Sequence, residues 1–333
     1  MKADNIIDDL KKEKFKPVYW LEGEEDFFID EIIDFAEHHV LKDTEAGFNL
    51  TVFYGRDTNW PAIINACRRY PMFAQKQVVI IKEAQAMKEI DKLEAYVNTP
   101  LSSTILFIAY KGKKIDGRTK LAKTVKENGI LFTTRKLYDN EIPGWCLDLV
   151  KSKDLSISNK ALSLLIDHIG NDLNRISNEI EKITINLGNR KNITDDDIEN
   201  YIGISKEFNL FELQDALGKR DLYKAIRIAQ YFENNPKAAP IQLIFPSLYS
   251  FFSKLQMIYT QPSYNEKVLA TAIGVTDWKI KEYMQAARRY STQSVEKNLL
   301  LLHKYNLKSI GINDGGTPDG MLLKEMIVKM IQE

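Results

Sequence analysis

A chain of 333 residues with 44% hydrophobic and 28% charged residues is long enough for two or three globular domains. Its 46 Lys+Arg balance 46 Asp+Glu, which argues against a protein that coats nucleic acid through its overall field while leaving room for a local basic patch. The 2 cysteines, Cys67 and Cys146, exclude a disulfide framework or a zinc cluster and fit a reducing cytosol. The N-terminus, Met1-Lys2-Ala3-Asp4-Asn5, lacks the apolar core of a signal peptide, and no apolar run reaches the length of a membrane span. Residues 1–15 read as a short amphipathic helix with Ile6, Ile7 and Leu10 on one face, and Pro17 to Gly23 as a first strand. Glu24 to Leu41 has helical spacing. Phe48 to Tyr54 reads as a second strand, Trp60 to Arg69 as a helix capped by Asn59 with Pro61 in its first turn, and Gln77 to Lys82 as a third strand. Asp91 to Asn98 is a helix, Ser103 to Tyr110 a strand apolar enough for burial on both faces, Arg118 to Glu127 a helix and Gly129 to Thr133 a fifth strand. Strands alternating with helices predict a mostly parallel five-stranded sheet with right-handed crossovers.

From about Tyr138 the strand signals stop. Helices are expected over 142–151, 158–169 and 173–187, with Thr194 capping another whose first turn is acidic. After a break near Gly203 to Glu207, further helices are expected over 210–217, 222–233, 240–259, 266–272, 278–290, 295–307 and 321–331. The run from Ser294 to Leu307 carries Leu299, Leu300, Leu301, Leu302 and Leu307. It is apolar on every side, as in a bundle core or an interface between chains.

One connection stands apart. Pro71 stops the helix at Tyr70, and Met72-Phe73 then occupies a loop where polar turn residues are usual. The residues alone leave two readings open: a projecting pair made for a partner's apolar pocket, or a pair folded back into the local core. The first strand and helix frame the place of a phosphate-binding loop. That turn, however, reads Gly23-Glu24-Glu25-Asp26, with no second glycine, no lysine and three acids, so no nucleotide site is expected there. Gly112-Lys113-Lys114-Ile115-Asp116-Gly117-Arg118-Thr119 nearly matches G-x-x-x-x-G-K-[ST], but Arg replaces the Lys and it follows the fourth strand. His38, His39, His168 and His303 form no metal-ligating pattern, and no catalytic pair stands out. Basic clusters occur at Arg68-Arg69, Lys111 to Lys114, Lys219-Arg220, Lys279 to Lys281 and Arg288-Arg289-Tyr290, the last two interleaved with Trp278 and Tyr283. They read either as a phosphate-contacting surface or as a solvated helix face.

Taken together, these motifs resemble the delta subunit of bacterial DNA polymerase III over nearly the whole chain. The resemblance rests on Tyr19-Trp20-Leu21-Glu22-Gly23-Glu24-Glu25-Asp26-Phe27-Phe28-Ile29-Asp30-Glu31, Pro71-Met72-Phe73-Ala74 before Val78-Val79-Ile80-Ile81, and Lys114 to Leu121. It rests also on Phe211 to Leu217, Gln285 to Tyr290 and Leu301 to Ser309. It implies an AAA+-like α/β domain over 1–138, a small helical lid over 139–206 and a helical collar over 207–333. It implies a non-ATPase subunit of the polymerase holoenzyme, whose nucleotidyltransferase activity resides elsewhere, with no cofactor, metal or catalytic residue of its own. It further implies that Met72 and Phe73, flanked by Tyr70 and Pro71, enter a pocket on the sliding clamp (the beta subunit) and open that ring for loading on primed DNA. The gamma/tau and delta-prime subunits would meet the collar. The setting would be cytoplasmic, at replication forks on the nucleoid. Met at residue 72, where the family often has Leu, is a departure that a flexible thioether tolerates. Contact with DNA by Lys281, Arg288, Arg289 and Tyr290 is a further expectation. Two alternatives are an ATPase using Gly112 to Thr119, and a delta-prime-type subunit, whose usual cysteine cluster and Ser-Arg-Cys motif this chain lacks.

Overall fold

A computed structural model describes residues 3–205, 207–261, 265–276 and 279–333. The chain divides into two compact units, Met1–Leu137 and Tyr138–Glu333.

The first unit contains β1 (Val18–Gly23), β2 (Leu50–Tyr54), β3 (Gln77–Lys82), β4 (Thr104–Lys111) and β5 (Ile130–Thr134). All pair in parallel, in the order β2–β3–β4–β1–β5. Its helices are α1 (Ala3–Lys11), α2 (Asp26–His39), α3 (Asp43–Asn49), α4 (Trp60–Cys67), α5 (Glu94–Val97) and α6 (Lys120–Asn128). Side chains alternate across the pleat, so each strand feeds two cores. Tyr19, Leu21, Ile80 and Phe107 pack beneath Ile6 and Leu10 of α1 and Ile29 and Ile32 of α2. Trp20, Val79, Ile81 and Ile108 face Ile63 of α4, Val97 of α5 and Val125 of α6 on the other side.

Two expectations for this unit need correction. Phe48 and Asn49 are not strand residues but the last turn of α3, and the second strand begins at Leu50. The helix expected over 91–98 is a 3-10 turn, Ile90–Leu93, followed by the single turn of α5.

The second unit begins with α7 (Ile142–Ser152), α8 (Asn159–Ile169), α9 (Leu173–Asn186) and α10 (Asp195–Asp197). It includes a two-stranded parallel ladder that the sequence did not announce, β6 (Ser156–Ile157) with β7 (Asn192–Ile193). Thr194 caps α10 as expected, in a capping box with Asp197. The Arg190 guanidinium beside Asp197 holds its carboxyl below the usual range. Then come α11 (Leu210–Lys219), α12 (Leu222–Asn234), α13 (Ile241–Tyr259), α14 (Glu266–Ile273), α15 (Ile280–Ala287), α16 (Thr292–Ser309) and α17 (Asp319–Gln332) around one core. Among the described residues, helix α13 contributes more buried side chains to that core than any other helix, among them Ile244, Phe245, Leu248, Phe251, Phe252 and Leu255. Helix α16 is sided rather than uniformly buried: Val295, Asn298, Leu302 and Tyr305 face in, and Leu300 is exposed. Trp278, expected to open a helix, lies outside the described residues, and that helix runs over Ile280–Ala287. No helix among the described residues is long and apolar enough to cross a membrane.

Both cysteines are buried, and burial pushes each thiol up to about 12. Neither thiol is expected to react with an aromatic disulfide reagent at pH 8 until denaturant is added. A rapid stoichiometric reaction of the native chain would contradict this. Thiols whose folded pKa is raised contribute stability below about pH 8.5, their unfolded value, and that contribution is lost as pH rises toward 12.

Candidate functional site

The connection from α4 to β3 is held at both feet and bare at its tip. Helix α4 starts where Asn59 Oδ1 accepts the Ala62 N–H at 3.0 Å, and it ends at Cys67, before Pro71 could be accommodated. Its last carbonyls are not left to water. Gln77, the buried first residue of β3, donates from Nε2 to the Arg69 carbonyl at 2.6 Å and to Thr104 Oγ1 at 2.7 Å, with longer approaches to the Ala66 and Cys67 carbonyls. Thr104 sits opposite Gln77 in the β3–β4 register, and its own hydroxyl donates to the Cys67 carbonyl at 2.8 Å. One amide and one hydroxyl thereby close a helix end that would otherwise bury unpaired acceptors.

At the other foot stands Asn49, the last residue of α3, only 2% exposed. Its Oδ1 accepts the Met72 N–H at 2.7 Å, and its Nδ2 donates to the Met72 carbonyl at 2.9 Å and the Glu45 carbonyl at 3.0 Å. Beyond these anchors the chain is open. Tyr70 is 81%, Met72 54% and Phe73 93% exposed, with Pro71 half-buried, Arg68 and Arg69 exposed, and Phe48 of α3 exposed beside Asn49. The pair is therefore not folded into the local core. Phe73 sits at φ +57°, the left-handed region, which costs a residue with a Cβ about 1–2 kcal/mol.

The turn after β1 is filled from within. Gly23 has φ +124°, and a Cβ there would lie 2.2 Å from the Thr134 carbonyl. The buried Glu22 carboxylate accepts from Trp20 Nε1 at 3.0 Å, the Ile115 N–H at 2.8 Å and Thr133 Oγ1 at 3.0 Å. The loop over residues 112–119 is laid against this turn by paired backbone bonds, Gly112 N–H to the Gly23 carbonyl and Gly23 N–H to the Lys113 carbonyl. Arg118 is turned to solvent in a bidentate pair with Asp116, and Thr119 caps α6. Burial raises the Asp26 carboxyl at the start of α2, against the pull of Lys111 and Lys136. A carboxylate thus occupies the end of β1, and the basic side chain of the motif-like loop is engaged elsewhere.

Of the residues expected to touch DNA, Lys281, Arg288 and Arg289 are exposed. Tyr290 is not: its ring is buried against Phe252 and beneath Arg220, and its hydroxyl donates to the Leu217 carbonyl at 2.7 Å. That burial pushes its phenol up to about 12 and takes base stacking out of its reach. Tyr283 is likewise a core residue beside Phe251.

Residues 19–135 match the family model described as DNA polymerase III, delta subunit, and residues 207–329 match a second model, which describes the C-terminal domain of the same delta subunit. The chain belongs to the DNA polymerase III delta subunit family. The DNA polymerase III subunit delta of Bacillus subtilis (strain 168) is 26% identical over 332 residues, covering 96% of this chain and 94% of that one. The probable DNA polymerase III subunit delta of Aquifex aeolicus (strain VF5) is 25% identical over 223 residues, covering 63% and 62%. Among solved structures, the Bacillus subtilis DNA clamp loader delta protein shares the fold at a TM-score of 0.54, with 23% identity, over 99% of this chain and 100% of that one. Both the α4–β3 tip and the Arg288–Arg289 surface of this delta-family chain fall inside the matched segments.

Sequence reasoning found the tip but not what holds it. Asn49 and Thr104 act through bonds to residues distant in the chain and leave no local pattern. Gln77 left a faint one, as a polar residue at the mouth of an otherwise apolar strand.

Proposed function

We propose that this chain is a clamp-loader delta subunit that docks on the sliding clamp through Met72 and Phe73 and favours an opened ring for loading on primed DNA. The observation that carries this reading is an apolar pair held out in solvent on a loop whose two feet are hydrogen-bonded to the domain. Such a pair is what an apolar pocket on a partner accepts. A ligand shifts a ring between closed and open only by its difference in affinity for the two. Burying Met and Phe gives roughly 3–6 kcal/mol gross, enough to bias one ring interface and too little to dismantle the ring.

In this reading the chain is a non-catalytic member of the holoenzyme, working at replication forks in the cytoplasm. The Glu22 carboxylate at the end of β1 and the Arg118–Asp116 pair support the absence of a phosphate cradle in the first unit. Helices α7 to α10 would form the lid and α11 to α17 the collar, where the exposed Leu300 offers apolar area to the gamma/tau and delta-prime subunits. The test is binding of the isolated chain to the sliding clamp of its own organism, without ATP. Tight binding is expected, and no binding would overturn the reading.

For DNA, the exposed Arg288 and Arg289 suit phosphates rather than bases. In the assembled loader, replacing both with Ala is expected to weaken DNA binding equally across sequences. It should also flatten the slope of log affinity against log salt by about 1 for each phosphate left without its cation. An unchanged slope would remove these residues from the DNA surface.

A further inference from the structure

We propose that Asn49 is the positioning residue of the docking tip: its side-chain amide, closed on both backbone polar groups of Met72, sets the direction in which Phe73 projects. The inference rests on the docking reading above and adds to it the group that makes the tip rigid.

Among the described residues, the two bonds from Asn49 are the only hydrogen bonds that reach the backbone between Tyr70 and Gln75. Packing does not replace them, because Met72 is half exposed and Phe73 almost wholly so. The carboxamide offers one acceptor and one donor with the spacing of a peptide group, so Met72 is paired as a residue in a ladder would be. The opposite amide orientation would set donor against donor at the Met72 N–H, so the bonding fixes one arrangement. With Met72 held, the chain enters Phe73 from one direction only, and Phe73 takes up φ +57°. A free loop would leave that region, since a residue with a Cβ is disfavoured there, and the phenyl ring would swing to another heading. Asn49 is itself fixed, because its Nδ2 also bonds the Glu45 carbonyl one turn back on α3. Ordering the tip before it meets the clamp lowers the entropy lost on docking.

The experiment measures ATP-independent affinity for the sliding clamp in wild type, Asn49→Ala, Phe73→Ala and the double variant, together with hydrogen exchange at the Met72 amide. Asn49→Ala is expected to weaken binding about tenfold, to speed exchange at the Met72 amide, and to cost almost nothing more once Phe73 is already Ala. Asn49→Asp keeps the acceptor for the Met72 N–H but sets a buried carboxylate oxygen against the Met72 and Glu45 carbonyls, so it should bind no better than Asn49→Ala. Asn49→Ser, uncharged and too short to span both backbone groups of Met72, serves as the second variant if the alanine form folds poorly. Wild-type affinity in Asn49→Ala, or losses that simply add in the double variant, would overturn the positioning role while leaving the docking reading standing. Wild-type affinity in Phe73→Ala would overturn the docking reading, and this inference with it.

Discussion

Met72→Ala with Phe73→Ala is expected to bind the sliding clamp between a hundredfold and a thousandfold more weakly than wild type, while melting at the same temperature. The magnitude comes from two terms. On docking, Phe73 would have almost its entire ring to give to a partner, because almost none of it is engaged within its own chain. An aromatic anchor of that kind is typically worth about 2 kcal/mol or more, and each factor of ten in affinity is about 1.4 kcal/mol. Met72 contributes less, since about half its surface is already covered. The single Phe73→Ala variant should therefore show most of the loss. Stability is spared because neither side chain belongs to either core of the first unit. Raising salt should change little the share of the affinity that this pair supplies, as both side chains are apolar. Calorimetric or surface-based titration with purified clamp measures all of this, and a double variant that binds as wild type does would remove the docking role.

Gly23→Ala should lower the stability of the first unit by about 4 kcal/mol or more. Two independent faults coincide there. The backbone sits at φ +124°, a region closed to residues with a Cβ, and the added methyl would lie 2.2 Å from the Thr134 carbonyl and 2.4 Å from its hydroxyl. Relief requires β5 to move away from the end of β1, which breaks the Glu25 N–H bond to Thr134 Oγ1 and the Thr133 bond to Glu22. Chemical denaturation or loss of soluble protein reads the effect, and a variant as stable as wild type would mean that β5 can yield there. The same glycine begins the stretch that invites a nucleotide-site reading from sequence. In the structure its conformational freedom serves strand packing.

The sheet was legible because buried parallel strands announce themselves as apolar runs, and Gln77 to Lys82 and the cap at Asn59 fall where the residues place them. Helix α3 was not. Asp43-Thr44-Glu45-Ala46-Gly47-Phe48-Asn49 has a glycine in its midst and no apolar stripe, and Phe48 runs without a break into the strand that follows. The ladder of β6 and β7 is two residues a side, too short for any period to show. Tyr283 and Tyr290 were misplaced by their company. Basic neighbours suggest a wet surface, yet Tyr283 turns inward from α15, where a residue one step along faces elsewhere, and Tyr290 turns inward from the bend that follows that helix. The tip itself was visible as an apolar pair after a proline. Its exposure was not, because projection and burial write the same letters.

The strand order has a consequence for how this chain is born. Strand β1 leaves the ribosome first, yet both its neighbours, β4 and β5, are made near the end of the domain. Loops that long close slowly, and parallel pairing gives nothing back until they do. Through most of the synthesis of the first unit, Val18-Tyr19-Trp20-Leu21 is therefore expected to wait as an unpaired apolar ribbon, while β2 and β3 find each other early. A nascent chain halted before Ile130 would present one open edge of its most buried strand. It should be held by chaperones that bind extended apolar segments, and released only when the last strand arrives.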